Sequence, residues 1–444
     1  APYDPDEGDS DLLETLLSAL PGGNIRIPTA QGQNSYVYLD HAASKPALLP
    51  VLNAFLAALR LPEELYGNVV RHTAAACTAY FNAPPDDYEV IFTANTSEAI
   101  NLLAAVLPES LPHTRPAYII NSILDHHSNE LPWRYAPGWR FIRLEADALG
   151  WIDLNQLEQE LKKITLDGQD KDHPPVLVSI CGASNVLGTL NDLEAISELV
   201  HRYGALLLVD AAQLAAHRAV DMKALDIDFL AFSGHKVYAP FGSGALLARR
   251  GLLNGERLER ARAGGKQNIA GIAALGASLS LLQRIGLDVI EARERDLCTY
   301  LIQTLSQTPG LQLYGLQDTS AVDFDRRSGV VSFRLRWVPH NVVAAELSAE
   351  GIGLRQGCFC AHLLVKRLMH IQAWRGALAD IGSFILPGIT AALLPGLVRV
   401  SLGLNNTRED IDRLAAALRR VVDRPRNRWQ RWLASNHNGL PENI

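Results

Sequence analysis

Short apolar runs separated by polar, turn-forming stretches dominate the middle of this chain. Tyr88–Phe92, Ala117–Asn121, Val176–Ile180, Leu206–Val209 and Asp228–Phe232 are each four or five residues long and rich in Val, Ile, Leu and Phe, which predicts buried strands. Between them, Ser97–Val106 and Leu193–Tyr203 place apolar residues at helical spacing. Strand and helix in alternation predict a mainly parallel sheet covered by helices on both faces, an α/β architecture. Beyond about residue 285 the pattern changes. A long charged helix beginning at Glu291, a strand at Val330–Arg336, a helix over Asn341–Glu350 and a final strand and helix from Val398 predict a smaller α+β domain. The expected division is therefore an N-terminal segment, 1–34, packing with the small domain, a large domain, 35–284, and a C-terminal domain, 285–444. Pro425–Trp432 reads as a docking helix or a frayed tail.

In a sheet of this kind ligands sit outside the carboxyl ends of the strands. The polar residues that follow those ends are accordingly the candidates for chemistry. The run Ala205–Val209 closes on Asp210, followed by Gln213, and the run Phe229–Phe232 leads into Ser233-Gly-His235-Lys236. An acid, an amide and a lysine in this order suit pyridoxal phosphate (PLP): the lysine condenses with the aldehyde and the acid faces the pyridine nitrogen. The bland alternative for Lys236 alone is a solvated surface lysine. Thr96 and Ser97 open a helix directly after a strand, where free amide groups and the helix dipole favour a phosphate, although a plain helix cap explains the same pattern. His126 and His127 follow the next strand. An imidazole there can lie on a pyridine ring and move a proton, with an ordinary pKa of about 6.5. A metal site is not expected, because no cysteine or carboxylate accompanies the two histidines at ligand spacing. Arg399 lies inside a short apolar strand and needs a carboxylate, supplied either by a substrate or by a structural ion pair. Cys358 and Cys360 flank a phenylalanine in a turn and read as buried filler or as a nucleophile on a loop.

Composition narrows the partners. The 444 residues are 48% hydrophobic and 20% charged with a formal net charge of −7, so neither nucleic acid nor an anionic membrane is expected and a small-molecule substrate is. Five cysteines form no disulfide framework for a chain of this size and fit a reducing cytoplasm. The longest apolar stretch, Ile381–Val398, is interrupted by Gly and Pro and reads as a loop or lid feeding a strand. The first nine residues are acidic and do not read as a secretory signal.

Over roughly residues 35–425 the chain resembles the class V, fold type I PLP enzymes, and within them the group II cysteine desulfurases and selenocysteine lyases. The resemblance is carried by Tyr38-Leu-Asp-His-Ala-Ala43, Thr96-Ser-Glu-Ala-Ile-Asn101, His126-His-Ser-Asn129 with Pro132-Trp133, and Ser184-Asn-Val-Leu-Gly-Thr189. It continues through Val209-Asp-Ala-Ala-Gln213, Phe232-Ser-Gly-His-Lys236, Arg355-x-Gly-x-x-Cys360-Ala and Arg399-x-Ser-Leu followed by Asn406-Thr. It implies a large domain built on a mainly parallel seven-stranded sheet, a small α+β domain and a homodimer. It further implies that Lys236 holds PLP, that Asp210 pairs with the pyridine nitrogen and Gln213 with the phenolic oxygen, and that His126 stacks on the ring. Thr96, Ser97, Ser233 and His235 are implied to hold the phosphate, and Asn185 and Arg399 the substrate carboxylate. Cys360 is implied to take sulfur from L-cysteine as a persulfide, releasing alanine and passing the sulfur to an acceptor protein. The alternative is another class V reaction on a larger amino acid: a carbon–sulfur lyase, an epimerase or an aminotransferase. Three departures from the family pattern stand out. The connection Arg250–Arg262 is short and lacks a glycine-rich stretch, Gly265 stands where the family has a threonine, and the segment 368–394 is longer.

Overall fold

The computed structural model describes residues 10–18, 25–29, 32–111, 117–166, 174–262, 266–371 and 395–424. Gly265, the terminal segment from Pro425 and most of the long 368–394 segment lie outside them.

The chain divides into two compact units: residues 1–23, 42–185 and 189–294 form the first, and residues 24–41, 186–188 and 295–444 the second. The stretch expected as one N-terminal segment is thus shared. Helix Ser10–Ser18 goes with the first unit, while 24–41 goes with the second because Val37–Tyr38 pairs there in parallel with Ile352–Gly353.

Seven strands form the sheet of the first unit: β1 (Tyr88–Thr93), β2 (Ala117–Ser122), β3 (Trp139–Leu144), β4 (Val176–Cys181), β5 (Leu206–Asp210), β6 (Phe229–Ser233) and β7 (Gly244–Arg249). Their spatial order is β1-β7-β6-β5-β4-β2-β3. Only β7 runs antiparallel to its neighbours. Every residue of β4 and β6 is buried, which is why these strands read as continuous apolar runs and not as alternating ones. On one face Ile100, Leu103 and Leu107 of α1 (Thr96–Ser110) and Trp133 of α2 (His127–Tyr135) pack with Ile91, Ile119, Leu177, Leu208, Phe229 and Leu246 of the strands.

This topology puts the carboxyl ends of β5 and β6, and the amino end of β7, along one edge. Gly244 pairs with Ser233 on one side and Thr93 on the other. A Cβ at Gly244 would stand 2.6 Å from Phe232 O and 2.8 Å from Asn95 Cα, so only glycine lets the three chain segments approach there.

The second unit has an antiparallel four-stranded sheet in the order β8 (Leu311–Leu313), β9 (Val330–Leu335), β11 (Leu397–Ser401), β10 (Arg355–Gly357). Asp40 bridges to Ser401 beside β11. Helix Arg408–Asp423 closes the unit, its amino end fixed by a capping box between Thr407 and Asp410.

Candidate active site

In the first unit the segments after β1, β2, β5 and β6 converge. Helix α1 begins after Asn95, whose side chain accepts from Glu98 N at 2.9 Å. The next amide, Thr96 N, donates to Ser233 Oγ at 2.7 Å, and the two hydroxyls of Thr96 and Ser233 lie 2.6 Å apart, buried. Ser97 Oγ donates to Ser128 Oγ at 2.7 Å, and Ser128 Oγ lies 2.8 Å from His126 Nδ1. His126 caps α2 by accepting Ser128 N at its Nδ1, which fixes the tautomer with the proton on Nε2. One hydroxyl network therefore joins Ser97, Ser128 and His126, and a second joins Thr96 and Ser233.

Lys236 ends the short 3₁₀ turn Gly234–Lys236 that follows β6. Its ammonium donates to Ala42 O, and Gln213 Nε2 donates to the same carbonyl at 2.7 Å. Asp210, at the end of β5, is 5% exposed and accepts Ala212 N at 2.9 Å. Burial pushes its carboxyl up to about 6, against the opposing effects of that amide and of Lys236. Asp125 is a second buried acid, pushed up to about 7 by burial while Ser122 and Asn129 oppose the shift, and the charge of Asp210 adds to it. Asp125 accepts from Ser122 N at 2.8 Å, Ser122 Oγ at 2.6 Å and Asn129 Nδ2 at 2.8 Å. His235 stacks on Phe241 with ring centroids 4.7 Å apart. Burial first, then Lys236 and Lys45, brings its pKa down to about 4, so it is a neutral imidazole at physiological pH.

Sequence reasoning did not find the network behind these residues. Lys45, 4% exposed, lies with Nζ 3.1 Å from His217 Nε2; His217 Nδ1 is 2.5 Å from Glu294 Oε1, and Arg218 pairs with Glu294 at 3.0 Å. The Lys45 amide donates to His235 O at 2.8 Å, tying this buried relay to the Lys236 turn. Lys45 and Glu294 lie too far in the chain from the His217-Arg218 pair for any spacing rule to join them.

The donor set fits PLP. Gln213 Oε1, His235 Nδ1 and Ser243 Oγ are buried polar atoms without a hydrogen-bond partner, as expected of groups shaped to receive a polar ligand. Neutral hydroxyls and a helix amino end suit a phosphate, a buried carboxylate suits a pyridinium, and a lysine suits an aldehyde. Among the described residues no group of His, Cys, Asp or Glu is arranged to hold a metal ion.

Asn185, 8% exposed, belongs to the first unit; Arg399 and Cys360 belong to the second. Arg399, on β11 and 3% exposed, holds a structural partner: Nη2 lies 2.8 Å from Asp40 Oδ1, whose other oxygen is 2.9 Å from Arg355 Nε. The guanidinium also covers the Phe359 ring at 4.9 Å. Phe359 and Cys360 have φ of 53° and 55°, and Ala361 N donates to Cys358 O at 2.8 Å, which closes a type I′ turn over 358–361. Two non-glycine residues in this region cost about 1–2 kcal/mol each, offset here by the stacked Phe359. Cys360 is exposed. Cys358 is half-buried, with its thiol donating to Pro395 O at 3.1 Å, and all five cysteines are free thiols.

The fold and the lysine-bearing turn are those of one enzyme class, and the sequence profile of the aminotransferase class-V family matches residues 37–414: the chain belongs to that family. Within it the chain is 34% identical over 361 residues to a probable cysteine desulfurase of Halalkalibacterium halodurans, covering 76% of this chain and 78% of that protein. It is 32% identical over 355 residues to the cysteine desulfurase of Dickeya dadantii, covering 75% and 76%. The apo structure of a cysteine desulfurase from Thermococcus onnurineus superposes with a TM-score of 0.72 at 26% identity, over 87% of this chain and 94% of that one. Membership of the family implies PLP. No single helix among the described residues is long and apolar enough to cross a membrane.

Proposed function

We propose that the chain is a PLP-dependent cysteine desulfurase that converts L-cysteine to L-alanine and leaves the sulfur as a persulfide on Cys360. The observation that carries the reading is the pairing of two features in one class V chain: a lysine turn tied to a buried acid, and an exposed thiol on a rigid turn. When bound, the cofactor supplies an electron sink for charge developing at the substrate's α carbon. Lys236 holds the cofactor and moves the α proton through Nζ. Asp210 holds the proton at the ring nitrogen, and Gln213 orients the phenolic side. Thr96, Ser97, Ser233 and neutral His235 bind the phosphate at the amino end of α1. His126 offers its Nε2 proton and its ring face. Asn185 and Arg399 orient the substrate carboxylate, Arg399 being held in place by Asp40. Cys360 Sγ attacks the substrate sulfur as a thiolate, the carbon–sulfur bond breaks with its electron pair left on the substrate, whose carbon takes a proton on the way to alanine, and the persulfide passes to an acceptor protein. A homodimer working in a reducing cytoplasm completes the reading, since Cys360 has to be a thiol.

The test is product analysis with L-cysteine, with and without a thiol reductant, beside Cys360→Ala. Alanine and sulfide from the wild type, abolished in the variant, support the proposal. Pyruvate and ammonia, or a variant as active as the wild type, refute it.

A further inference from the structure

We propose that Cys358 is a resolving thiol: it discharges the Cys360 persulfide by forming a Cys358–Cys360 disulfide and releasing sulfide. This rests on the persulfide reading above and adds a second sulfur residue to it. Two residues of chain span at most about 7 Å when extended, and a turn brings them closer, inside the Cα separation of roughly 4.4–6.8 Å that a disulfide needs. The type I′ turn supplies that contraction through the positive φ of Phe359 and Cys360 and the bond from Ala361 N to Cys358 O. Both ends of the turn are held. The Phe359 ring lies against Arg399, and the Cys358 thiol donates to Pro395 O, half-buried at the base of the turn while Cys360 is exposed at the tip. Unequal exposure gives the two thiols different tasks: Cys360 meets substrate and acceptor, and Cys358 meets only Cys360.

The step balances without an added proton. Cys358 Sγ attacks Cys360 Sγ and a new S–S bond forms as the bond to the terminal sulfur breaks. The terminal sulfur leaves with the electron pair and takes the Cys358 proton, departing as HS⁻. Cys358 Sγ is oxidised and the terminal sulfur is reduced. An external thiol or dithiol reductant then returns the pair to two thiols.

The experiment uses the PLP-loaded full chain in two arms, both without reductant, read by thiol labelling and mass spectrometry of the peptide spanning 358 and 360 and by sulfide release. In one arm L-cysteine loads Cys360 by turnover; in the other, inorganic polysulfide loads it directly. The expected result in the wild type is sulfide release with loss of two hydrogens from that peptide. Cys358→Ser, which keeps a donor for Pro395 O, is expected to retain the persulfide on Cys360 and lose the sulfide. A wild-type persulfide that stays on Cys360 beside a labelled Cys358 thiol in both arms overturns the proposal. A disulfide in the polysulfide arm with no alanine in the cysteine arm upholds Cys358 as the resolving thiol and refutes the desulfurase reading instead.

Discussion

Replacing the acid expected to face the cofactor should make the cofactor-free protein more stable. Asp210 is 5% exposed, accepts one backbone amide, and has its carboxyl pushed up to about 6 by burial. An unfolded aspartate titrates at about 3.9. Between those two values the folded chain keeps a proton that the unfolded chain has released, so stability falls as pH rises through that window, and the full cost is present above it. The difference corresponds to about 3 kcal/mol at pH 8. Asp210→Asn removes the charge while keeping an oxygen for Ala212 N, and it also removes the repulsion that helps keep Asp125 protonated. Urea unfolding of cofactor-free wild type and variant is therefore expected to show a gap of about 3 kcal/mol at pH 8 that narrows toward about pH 5. On the proposed role of Asp210, adding PLP is expected to reverse the order, because only the wild type would offer a carboxylate to a protonated ring nitrogen. A variant within about 0.5 kcal/mol of the wild type at both pH values would refute the argument that Asp210 is ionised at a desolvation cost.

Asp40→Ala leaves the buried Arg399 without its carboxylate and is expected to cost about 3–5 kcal/mol, whereas Arg355→Ala, on the exposed side of the same carboxylate, costs under about 1 kcal/mol. Hydrogen exchange of the β11 amides reads both, and equal effects would contradict the pairing. Glu294→Gln removes the carboxylate facing His217 and one of the two that Arg218 pairs with, Glu291 remaining at 3.1 Å; a loss of about 3 kcal/mol in urea is expected, with His235 losing its anchored neighbour. Lys236→Ala is expected to abolish borohydride-stable attachment of PLP, read as the mass of the intact chain; retained attachment would move the reactive amine elsewhere.

The sequence made the sheet legible where strands are buried on both faces, since such strands are unbroken apolar runs. It concealed β7, whose Gly244-Ala-Leu-Leu-Ala-Arg249 opens on glycine and carries no β-branched or aromatic residue, and β3, an edge strand with Arg140 and Arg143 in it. Of the site, residues that follow strand ends in order were legible because topology alone brings β5 and β6 side by side. Asp210 and Lys236 were read from their places at those strand ends, and the resemblance then added the expected partner of each. Asp40 as the partner of Arg399, and Glu294 as the anchor of His217, were not legible: each pair is joined by folding across a long separation, and a lone carboxylate in a sequence carries no sign of which cation it will meet. Asp125 stood in view beside His126, but its burial, which makes it more than a turn residue, appears only in three dimensions.

The reversal of β7 has a consequence for how this chain tolerates change. Because β7 starts beside Ser233 and Thr93 and ends beside Tyr88, the lysine turn is a hairpin clamped at its mouth, with Gly234 N bonded to Ser243 O at 2.7 Å. The chain leaves β7 at the opposite rim of the sheet and returns to the lysine hairpin at Asn268, whose Nδ2 donates to Gly242 O at 2.8 Å. The strand pairings that place Lys236 all lie before Arg250, so the register of the lysine turn is set without the Arg250–Arg262 connection. A residue added between β6 and β7 would have to be absorbed by the lysine turn itself, whereas one added after Arg249 lies outside those pairings.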